Sequence, residues 1–358
     1  MEPKKIKISI IGATGYVGAE LVKGFAAHPY AEIIHLTSQS FAGKKFSDIY
    51  PVFKGVCDIT LEEGDYVQIA KDSDLVITAL PHGVSSKTVP VILENGARVI
   101  DHSGDFRYKN LATYEKSYKL DHPHPELLQE AVYGLPEFYR EELKSARLVA
   151  NPGCYPTCSL IALAPFLTKG LIKADSIIIN AVSGVSGAGR KSDLAYAFCE
   201  TDEAFKPYGA VGHRHTTEIA EQCGFLSAKS GKETVKAVTF TPHLAPFKRG
   251  MLASIYAKPA EGFTDVSSEK INQIYQEFYN NETFVRVLED KTLPDVKSVY
   301  GSNYIDVNGM YDPETDMIKL FSAQDNLGKG AALQAIQAAN CMFGLPEETG
   351  LKNMIRGV

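Results

Sequence analysis

The chain has 358 residues, of which 44% are hydrophobic and 22% charged, which is typical of a globular protein long enough for two domains. Its formal net charge of −6 gives no reason to expect nucleic acid or an anionic membrane as a partner, and no apolar run is long enough to span a bilayer. The six cysteines include no C-x-x-C pair, and no signal-peptide pattern opens the chain. We therefore expect reduced thiols, a cytoplasmic protein and no metal site.

The first part of the chain alternates strand patterns with helix patterns. Strands are predicted at 5–11, 31–37, 74–80 and 98–101. Helical spacing follows the first of these runs, at 17–27, and also follows the third, ending at residue 93. This alternation predicts a doubly wound parallel sheet of the Rossmann type.

Beyond residue 150 the pattern changes to strands with few helices between them. The strand-like runs lie at 176–182, 235–241, 252–258, 302–310 and 316–322. Helices are predicted at 268–279 and, in an alanine-rich segment, at 329–342. We expect an α+β catalytic and oligomerisation domain with a largely antiparallel mixed sheet at 151–324. The first domain should comprise 1–150 together with 325–358.

A glycine-rich turn separates the first strand from the first helix. Glycines at this place allow a tight turn and a close approach of the backbone to a pyrophosphate at the helix N-terminus. Because the turn lies between a strand and a helix, at the start of a βαβ unit, it predicts a dinucleotide site. The predicted cofactor contacts in it are Gly12, Thr14, Gly15, Tyr16, Val17 and Gly18.

The end of the second strand indicates which dinucleotide binds. Enzymes that use NAD usually carry an acidic residue there, which bonds the ribose 2′-hydroxyl. Residues 36–40 read Leu-Thr-Ser-Gln-Ser and contain no acid, and the hydroxyls of Ser38 and Ser40 can receive a 2′-phosphate. The sequence therefore predicts NADP as the cofactor.

The strongest candidate for chemistry is Cys154, in the run Asn-Pro-Gly-Cys-Tyr-Pro-Thr at 151–157. This run joins an apolar strand to an apolar helical pattern, so we expect the sulfur near free backbone N–H groups at the positive end of a helix dipole. Both effects favour thiolate over thiol and predict a nucleophile. Together with a nicotinamide cofactor, such a thiolate can interconvert an aldehyde and an acyl phosphate through a thioester.

This chemistry also needs an acid/base near neutral pH. His213 and His215 are the candidates, and the sequence does not rank them. We expect Thr216 or Thr217 to cap the helix that follows, which leaves both imidazoles in the preceding loop.

Glycine-rich and basic segments predict anion and substrate contacts. The loop at 183–191 follows a strand and suits a backbone cradle for an anion. The candidate substrate contacts are Arg107, Asn151, Arg190 and Arg249. Arg107 can clamp a carboxylate or phosphate of the substrate, and the alternative is an internal salt bridge between Arg107 and Asp105. The further candidate cofactor contacts are Gly184, Ser186, Gly187 and Asn326, the last of which can bond the nicotinamide carboxamide.

These residues resemble the N-acetyl-gamma-glutamyl-phosphate reductases, which are similar to aspartate-semialdehyde dehydrogenases. The resemblance covers nearly the whole chain and is carried by the runs 12–18, 101–107, 151–157, 183–190, 213–215 and 326–331. It implies Cys154 as nucleophile, His213 or His215 as acid/base, NADP as cofactor and a homotetramer. The chain departs from the family at Cys158 and Gly104, where the family more often has another small residue.

The reaction that the resemblance implies belongs to arginine biosynthesis. It is the reversible, NADPH-dependent conversion of N-acetyl-L-glutamyl 5-phosphate to N-acetyl-L-glutamate 5-semialdehyde and inorganic phosphate, through a cysteine thioester. A relative that acts on an aminoadipyl phosphate would share every catalytic residue. An aspartyl phosphate is less favoured because the cysteine run of those enzymes differs. A non-enzymatic NADP-binding regulator is disfavoured because the cysteine, the histidines and the glycine turns are all intact.

Overall fold

The computed structural model describes residues 5–289 and 291–354. The chain forms two compact units. Unit 1 runs to Pro152 and takes in Ala331–Met354, and unit 2 comprises Gly153–Gly330. In the described part of the chain, no helix combines the length and the apolar character that crossing a membrane requires.

Unit 1 is built on a six-stranded sheet in which every pairing is parallel. Its strands are β1 (Ile6–Ile11), β2 (Ala31–Thr37), β3 (Leu75–Thr78), β4 (Arg98–Asp101), β5 (Val132–Tyr133) and β6 (Leu148–Ala150), in the spatial order β2-β1-β3-β4-β6-β5. Its helices are α1 (Tyr16–Ala26), α2 (Phe46–Ile49), α3 (Tyr66–Asp72), α4 (Ser85–Glu94), α5 (Leu111–Tyr118), α6 (Glu126–Glu130), α7 (Pro136–Ser145) and α13 (Leu333–Met342). The central strands are buried along their length, as a parallel sheet covered by helices requires.

Unit 2 is built on a seven-stranded mixed sheet. Its strands are β7 (Ile178–Gly184), β8 (Lys206–Pro207), β9 (Thr239–Ala245), β10 (Met251–Ala257), β11 (Val285–Val287), β12 (Ile305–Asp312) and β13 (Met317–Gln324), in the order β11-β12-β13-β10-β7-β9-β8. Four of its six pairings are antiparallel. Its helices are α8 (Cys154–Thr168), α9 (Phe198–Thr201), α10 (Arg214–Ala228), α11 (Ser268–Tyr279) and α12 (Val296–Val299).

The predicted fold class, a Rossmann-type parallel sheet and an α+β unit with a mostly antiparallel mixed sheet, is confirmed. The boundaries of several elements differ from the prediction. The last helix begins at Leu333 instead of residue 329, because a π-helical turn at Gly328–Ala332 precedes it. In this turn the N–H of Gly330 bonds to the carbonyl of Asp325, five residues back, at 2.9 Å.

Helix α8 is buried on all sides from Tyr155 to Leu167 and packs on β10, β13, α10 and α11. Pro165 lies inside it and has no N–H to give to the carbonyl of Ile161, four residues back. The hydroxyl of Tyr279 donates to that carbonyl at 2.6 Å, and Tyr275 donates to Ala162 at 2.7 Å. Two tyrosines of α11 therefore supply the bonds that a proline-containing buried helix needs.

Tyr279→Phe should lower the free energy of unfolding by about 1–3 kcal/mol, because it leaves a buried carbonyl without a donor. In a Pro165→Ala background the loss should be smaller, since residue 165 then carries an N–H that can reach Ile161. Urea unfolding of the two single variants and the double variant measures the coupling. Tyr311→Phe is the control, because its hydroxyl bonds the exposed Asp316, and it should change stability by less than about 0.5 kcal/mol. Equal losses in both backgrounds would contradict the compensation.

Candidate active site

The glycine turn of unit 1 admits no side chains at two positions. Gly12 has a φ of +85°, and a Cβ there would lie 2.5 Å from the carbonyl oxygen of Ala79. A Cβ on Gly18 would lie 2.5 Å from the carbonyl oxygen of Gly12. The turn is tied to β2, because Thr37 accepts the N–H groups of Gly12 and Ala13 at 3.2 and 2.9 Å. Close packing of the backbone therefore requires glycine at both positions.

The turn leads into the N-terminus of α1. Gly15 precedes this helix in an extended conformation, and no side chain caps it. The N–H groups of Tyr16, Val17 and Gly18 belong to the first turn, where the helix itself offers no acceptor. No acidic residue lies in that turn. These features fit the pyrophosphate of a dinucleotide.

The predicted 2′-phosphate contacts lie beside this turn. The hydroxyls of Thr14 and Ser38 share a hydrogen bond of 2.8 Å, and Ser38 is buried. Ser40 is exposed, and Gln39 between them is exposed as well. Tyr50 donates to the carbonyl of Thr14 at 2.8 Å and supports the loop. Ser40 is thus accessible to a ligand, whereas Ser38 is bonded within the protein.

A second group of polar residues follows β4 and β6 in unit 1. Asn151 is buried, and its Nδ2 lies 3.2 Å from Nδ1 of His102 and 3.1 Å from the carbonyl of Ala331. Arg107 is buried and donates to the carbonyl of His102 at 2.7 Å. Burial and the charge of Arg107 lower the pKa of His102 to about 3, so this imidazole is neutral.

Asp105, the alternative partner of Arg107, has other bonds. Its carboxylate accepts the N–H groups of Gly83 and Ser86 at 2.8–2.9 Å and the hydroxyl of Tyr114 at 3.1 Å. Asp105 therefore fixes the start of α4.

Cys154 is the first residue of α8 and is partly exposed. Gly153 precedes it in an extended conformation, and its N–H donates to Oε1 of the buried Glu218 at 2.9 Å. Nε2 of Gln324 donates to the carbonyl of Cys154 at 2.7 Å. The thiol is therefore carried by a backbone held on both sides, beside first-turn N–H groups that the helix leaves without acceptors.

The predicted cap of α10 was wrong. The helix begins at Arg214, and Nδ1 of His213 accepts the N–H of His215 at 3.1 Å, so the helix starts earlier than a cap at Thr216 or Thr217 would place it. His213 is therefore the cap, and His215 lies in the first turn. Burial and the charge of Arg214 lower the pKa of His213 to about 4.

Aromatic rings join the cysteine helix to both histidines. The Tyr155 ring centroid lies 6.0 Å from that of His213 and 5.9 Å from that of His215, and the two imidazoles are 5.0 Å apart. Tyr208 bonds to the hydroxyl of Tyr155 at 3.2 Å. Burial, helped by the charge on Cys154, raises the pKa of both phenols, that of Tyr208 to about 12, so both stay protonated at neutral pH.

The loop after β7 contacts two other segments of unit 2. A Cβ on Gly184 would lie 2.8 Å from backbone atoms of Arg249, and one on Gly187 would lie 2.7 Å from Oγ of Ser183. Asn326 donates to Ser186 at 3.0 Å and accepts the N–H of Gly250 at 2.7 Å.

The structure thus brings Gly184, Ser186, Gly187 and Asn326 together, and it uses the Asn326 amide to join them. Arg190 is exposed. Arg249 is buried and forms an ion pair with Asp325, with Nε and Oδ2 2.7 Å apart.

Sequence reasoning missed Glu218, Gln324 and Tyr208. Glu218 bonds to Gly153 and Gln324 bonds to Cys154, and both lie far along the chain from these residues. An acidic residue on the apolar face of a predicted α10 is the one signal that could have revealed Glu218. Among the described residues, no group of three or more His, Cys, Asp or Glu side chains could hold a metal ion.

The glycine turn of unit 1, and in unit 2 a thiol at the start of a buried helix beside two imidazoles, are features of the semialdehyde dehydrogenase class. The model of the semialdehyde dehydrogenase NAD binding domain matches residues 7–146, and that of the semialdehyde dehydrogenase dimerisation domain matches 154–326. The chain belongs to the N-acetyl-gamma-glutamyl-phosphate reductase family. It is 50% identical to the enzyme of that name from Acetivibrio thermocellus, over 97% of this chain and 98% of the relative. It is 48% identical to the one from Caldicellulosiruptor saccharolyticus, with the same coverage.

Solved structures show the same fold at low identity. Aspartate semialdehyde dehydrogenase II from Vibrio cholerae has a TM-score of 0.71 at 18% identity, covering 96% of this chain and 99% of that chain. Aspartate semialdehyde dehydrogenase with NADP from Candida albicans has a TM-score of 0.69 at 18% identity, covering 98% and 100%.

Proposed function

We propose that the protein catalyses the reversible, NADPH-dependent reduction of N-acetyl-L-glutamyl 5-phosphate to N-acetyl-L-glutamate 5-semialdehyde and inorganic phosphate, a step of arginine biosynthesis. One observation carries the proposal. Cys154 begins a buried helix next to two imidazoles, in a chain about half identical over nearly its whole length to reductases of that name.

The residues of unit 2 perform the covalent part of the reaction. The Cys154 thiolate attacks the carbonyl carbon of the acyl phosphate, the carbon–oxygen bond to phosphate breaks, and a thioester remains. NADPH, when bound, supplies the hydride that reduces this thioester. A histidine protonates the oxyanion to give the hemithioacetal and takes the hydroxyl proton back as the carbon–sulfur bond breaks, which frees the aldehyde and regenerates the thiolate. Glu218 and Gln324 keep the cysteine backbone in place during these steps.

The chain's own residues favour NADP as the cofactor. The glycine turn at Gly12 and Gly18 fits a pyrophosphate, and residues 36–40 lack the acid that NAD enzymes place on the ribose. Ser40 is the exposed hydroxyl in reach of a 2′-phosphate, and Ser38 positions the loop through Thr14.

The two histidines have different roles in this proposal. Nδ1 of His213 accepts a backbone N–H, so the neutral ring carries its proton on Nε2 and acts as a hydrogen-bond donor. Protonating Nδ1 would break the cap of α10. Since the pKa of His213 is also lowered to about 4, we assign the acid/base role to His215.

Arg107, Asn151 and Arg190 stay proposed substrate contacts. Arg190 is exposed in a glycine-rich loop, as a group that binds an incoming carboxylate or phosphate should be.

Cys154→Ser should abolish turnover while NADP binding persists, because the alkoxide equivalent is not available at neutral pH. The assay is phosphate-dependent reduction of NADP with N-acetylglutamate semialdehyde, and cofactor binding is followed by fluorescence titration. Parallel reactions with NAD, with an aminoadipate semialdehyde and with aspartate semialdehyde test the cofactor and the substrate. A fully active Cys154→Ser variant would refute the thioester intermediate. A preference for another semialdehyde would mean that the proposed substrate is wrong. A wild-type protein that binds NADP but turns over no semialdehyde would favour a regulatory protein.

His215→Gln should remove the acidic limb of the kcat profile and lower kcat by about 10²–10⁴-fold, because general acid–base catalysis contributes that much. His213→Asn should keep the acidic limb. The pKa of His213 is about 4, so this ring has already lost its proton below the pH range of the assay, and asparagine can still cap α10. Measurements of kcat from pH 5 to 9 distinguish the two assignments of the acid/base. A limb that disappears with His213→Asn and persists with His215→Gln would reverse the assignment.

We also propose a cytoplasmic homotetramer assembled partly through unit 2. Among the described residues, no disulfide joins any of the six cysteines, as in a reducing compartment. Residues 194–211 expose Leu194, Phe198, Phe205 and Val211, the last of them 96% exposed, and the family model for this region is described as a dimerisation domain.

Sedimentation velocity should give a mass four times the 39.1 kDa of the chain. Phe198→Ser with Val211→Ser should shift it toward smaller species, whereas Val52→Ser, which changes an exposed valine of unit 1, should not. A monomeric wild-type protein at micromolar concentration would contradict the assembly.

A further inference from the structure

Arg249 and Asp325 form a buried ion pair at one end of two paired strands of unit 2. Arg249 comes two residues before β10 and Asp325 one residue after β13, and Met251 of β10 lies opposite Gln324 of β13. The side chains are 2% and 0% exposed, and Nε lies 2.7 Å from Oδ2. The guanidinium also lies over the ring of Tyr300, 5.3 Å from its centroid.

The carboxylate of this pair organises residues 325–330, which we name the 325–330 turn. Oδ1 of Asp325 accepts the N–H groups of Leu327 and Gly328 at 2.9 and 3.0 Å, and Oδ2 accepts that of Gly301 at 2.5 Å. The backbone carbonyl of Asp325 accepts the N–H of Gly330 at 2.9 Å. The buried carboxylate therefore holds the first part of the turn and ties it to Gly301, while the backbone carbonyl of the same residue holds Gly330. A buried carboxylate needs a paired charge.

The 325–330 turn packs directly on the nucleophile. A Cβ built on Gly330 would lie 2.9 Å from Cβ of Cys154 and 3.0 Å from Nε2 of Gln324. That Gln324 amide donates to the carbonyl of Cys154 at 2.7 Å. Any shift of the turn is therefore transmitted to the backbone and the Cβ of Cys154.

We propose that Arg249 is a positioning residue, which fixes Asp325 and through it the 325–330 turn against Cys154. This replaces the role in substrate binding that the sequence suggested for Arg249. The inference rests on the proposed role of Cys154 as the nucleophile. It follows from burial, because the planar guanidinium meets a carboxylate and an aromatic ring, both of which orient it, inside the protein.

Arg249→Lys and Asp325→Asn test the proposal, because both replace a member of the ion pair with another polar side chain. Each keeps a polar group but loses the geometry of the pair, so kcat should fall about tenfold or more, as small misplacements of reacting groups do. KM for N-acetylglutamate semialdehyde and for phosphate should stay within about twofold. The second readout is the rate of Cys154 alkylation by iodoacetamide against pH, followed on the Cys154 peptide by mass spectrometry because Cys199 is also exposed. Its midpoint should move from the wild-type value.

Arg286→Lys is the matched control. Arg286 pairs with Asp306 of the same sheet at 2.6 Å and lies over Tyr304, 4.9 Å from the ring centroid, but it makes no bond to the 325–330 turn among those described. It should leave kcat and the alkylation midpoint unchanged.

Gly330→Ala covers the possibility that the buried-charge variants do not fold. It disturbs the turn next to Cys154 without touching the ion pair, and it should lower kcat and move the alkylation midpoint in the same direction as Asp325→Asn.

Two patterns would overturn the proposal. A rise in KM with an unchanged midpoint means that Arg249 contacts the substrate, and a lower melting temperature with unchanged kcat and midpoint means that the pair only stabilises the fold. If the charge variants do not fold, an unchanged Gly330→Ala variant overturns it as well. If the wild type reduces no semialdehyde, the proposed function fails, while the alkylation midpoints still decide whether the pair positions Cys154.

Discussion

The arrangement of unit 2 depends on one constraint: the backbone groups of α8, a helix buried on every side, need hydrogen-bond partners. From Tyr155 to Leu167 helix α8 is buried, so water cannot bond the carbonyl that Pro165 leaves open. Glu218, Gln324, Tyr275 and Tyr279 supply partners from three other elements. Because an unmet buried polar group costs about 1–3 kcal/mol, these contacts hold α8 in one position.

The same constraint fixes the place of Cys154, the proposed nucleophile. The bonds that satisfy the start of α8 also fix the backbone on both sides of Cys154, so the thiol does not depend on a mobile loop for its place. The histidines are held by a comparable device, since the imidazole of His213 is itself the cap of α10. Structural hydrogen bonds therefore hold the backbone beside the proposed catalytic groups, and this limits which residues can be exchanged without loss of position.

Much of this organisation could be predicted because it depends on neighbours in the chain. The alternation of strands and helices, the glycine turn before α1 and the strand-to-helix position of Cys154 follow from local spacing, and the parallel and mixed sheets agree with them. The prediction of the cap of α10 was wrong because hydroxyl side chains are the usual caps, and no feature of the neighbouring sequence shows that an imidazole takes their place. The π-helical turn before α13 was missed for a similar reason, because its bonds centre on Asp325.

By itself the sequence determined the class of fold, the dinucleotide turn and the cysteine, since each is a matter of residue type at a short spacing. Only the tertiary structure decided which distant groups serve that cysteine. Glu218 lies 65 residues along the chain from Gly153, and Gln324 lies 170 residues from Cys154, the residues that they bond. Arginine at position 249 suggested a substrate contact, but this side chain is buried and pairs with Asp325, 76 residues further on. Burial of a charge depends on which strands are neighbours, and that pairing is a property of the folded sheet.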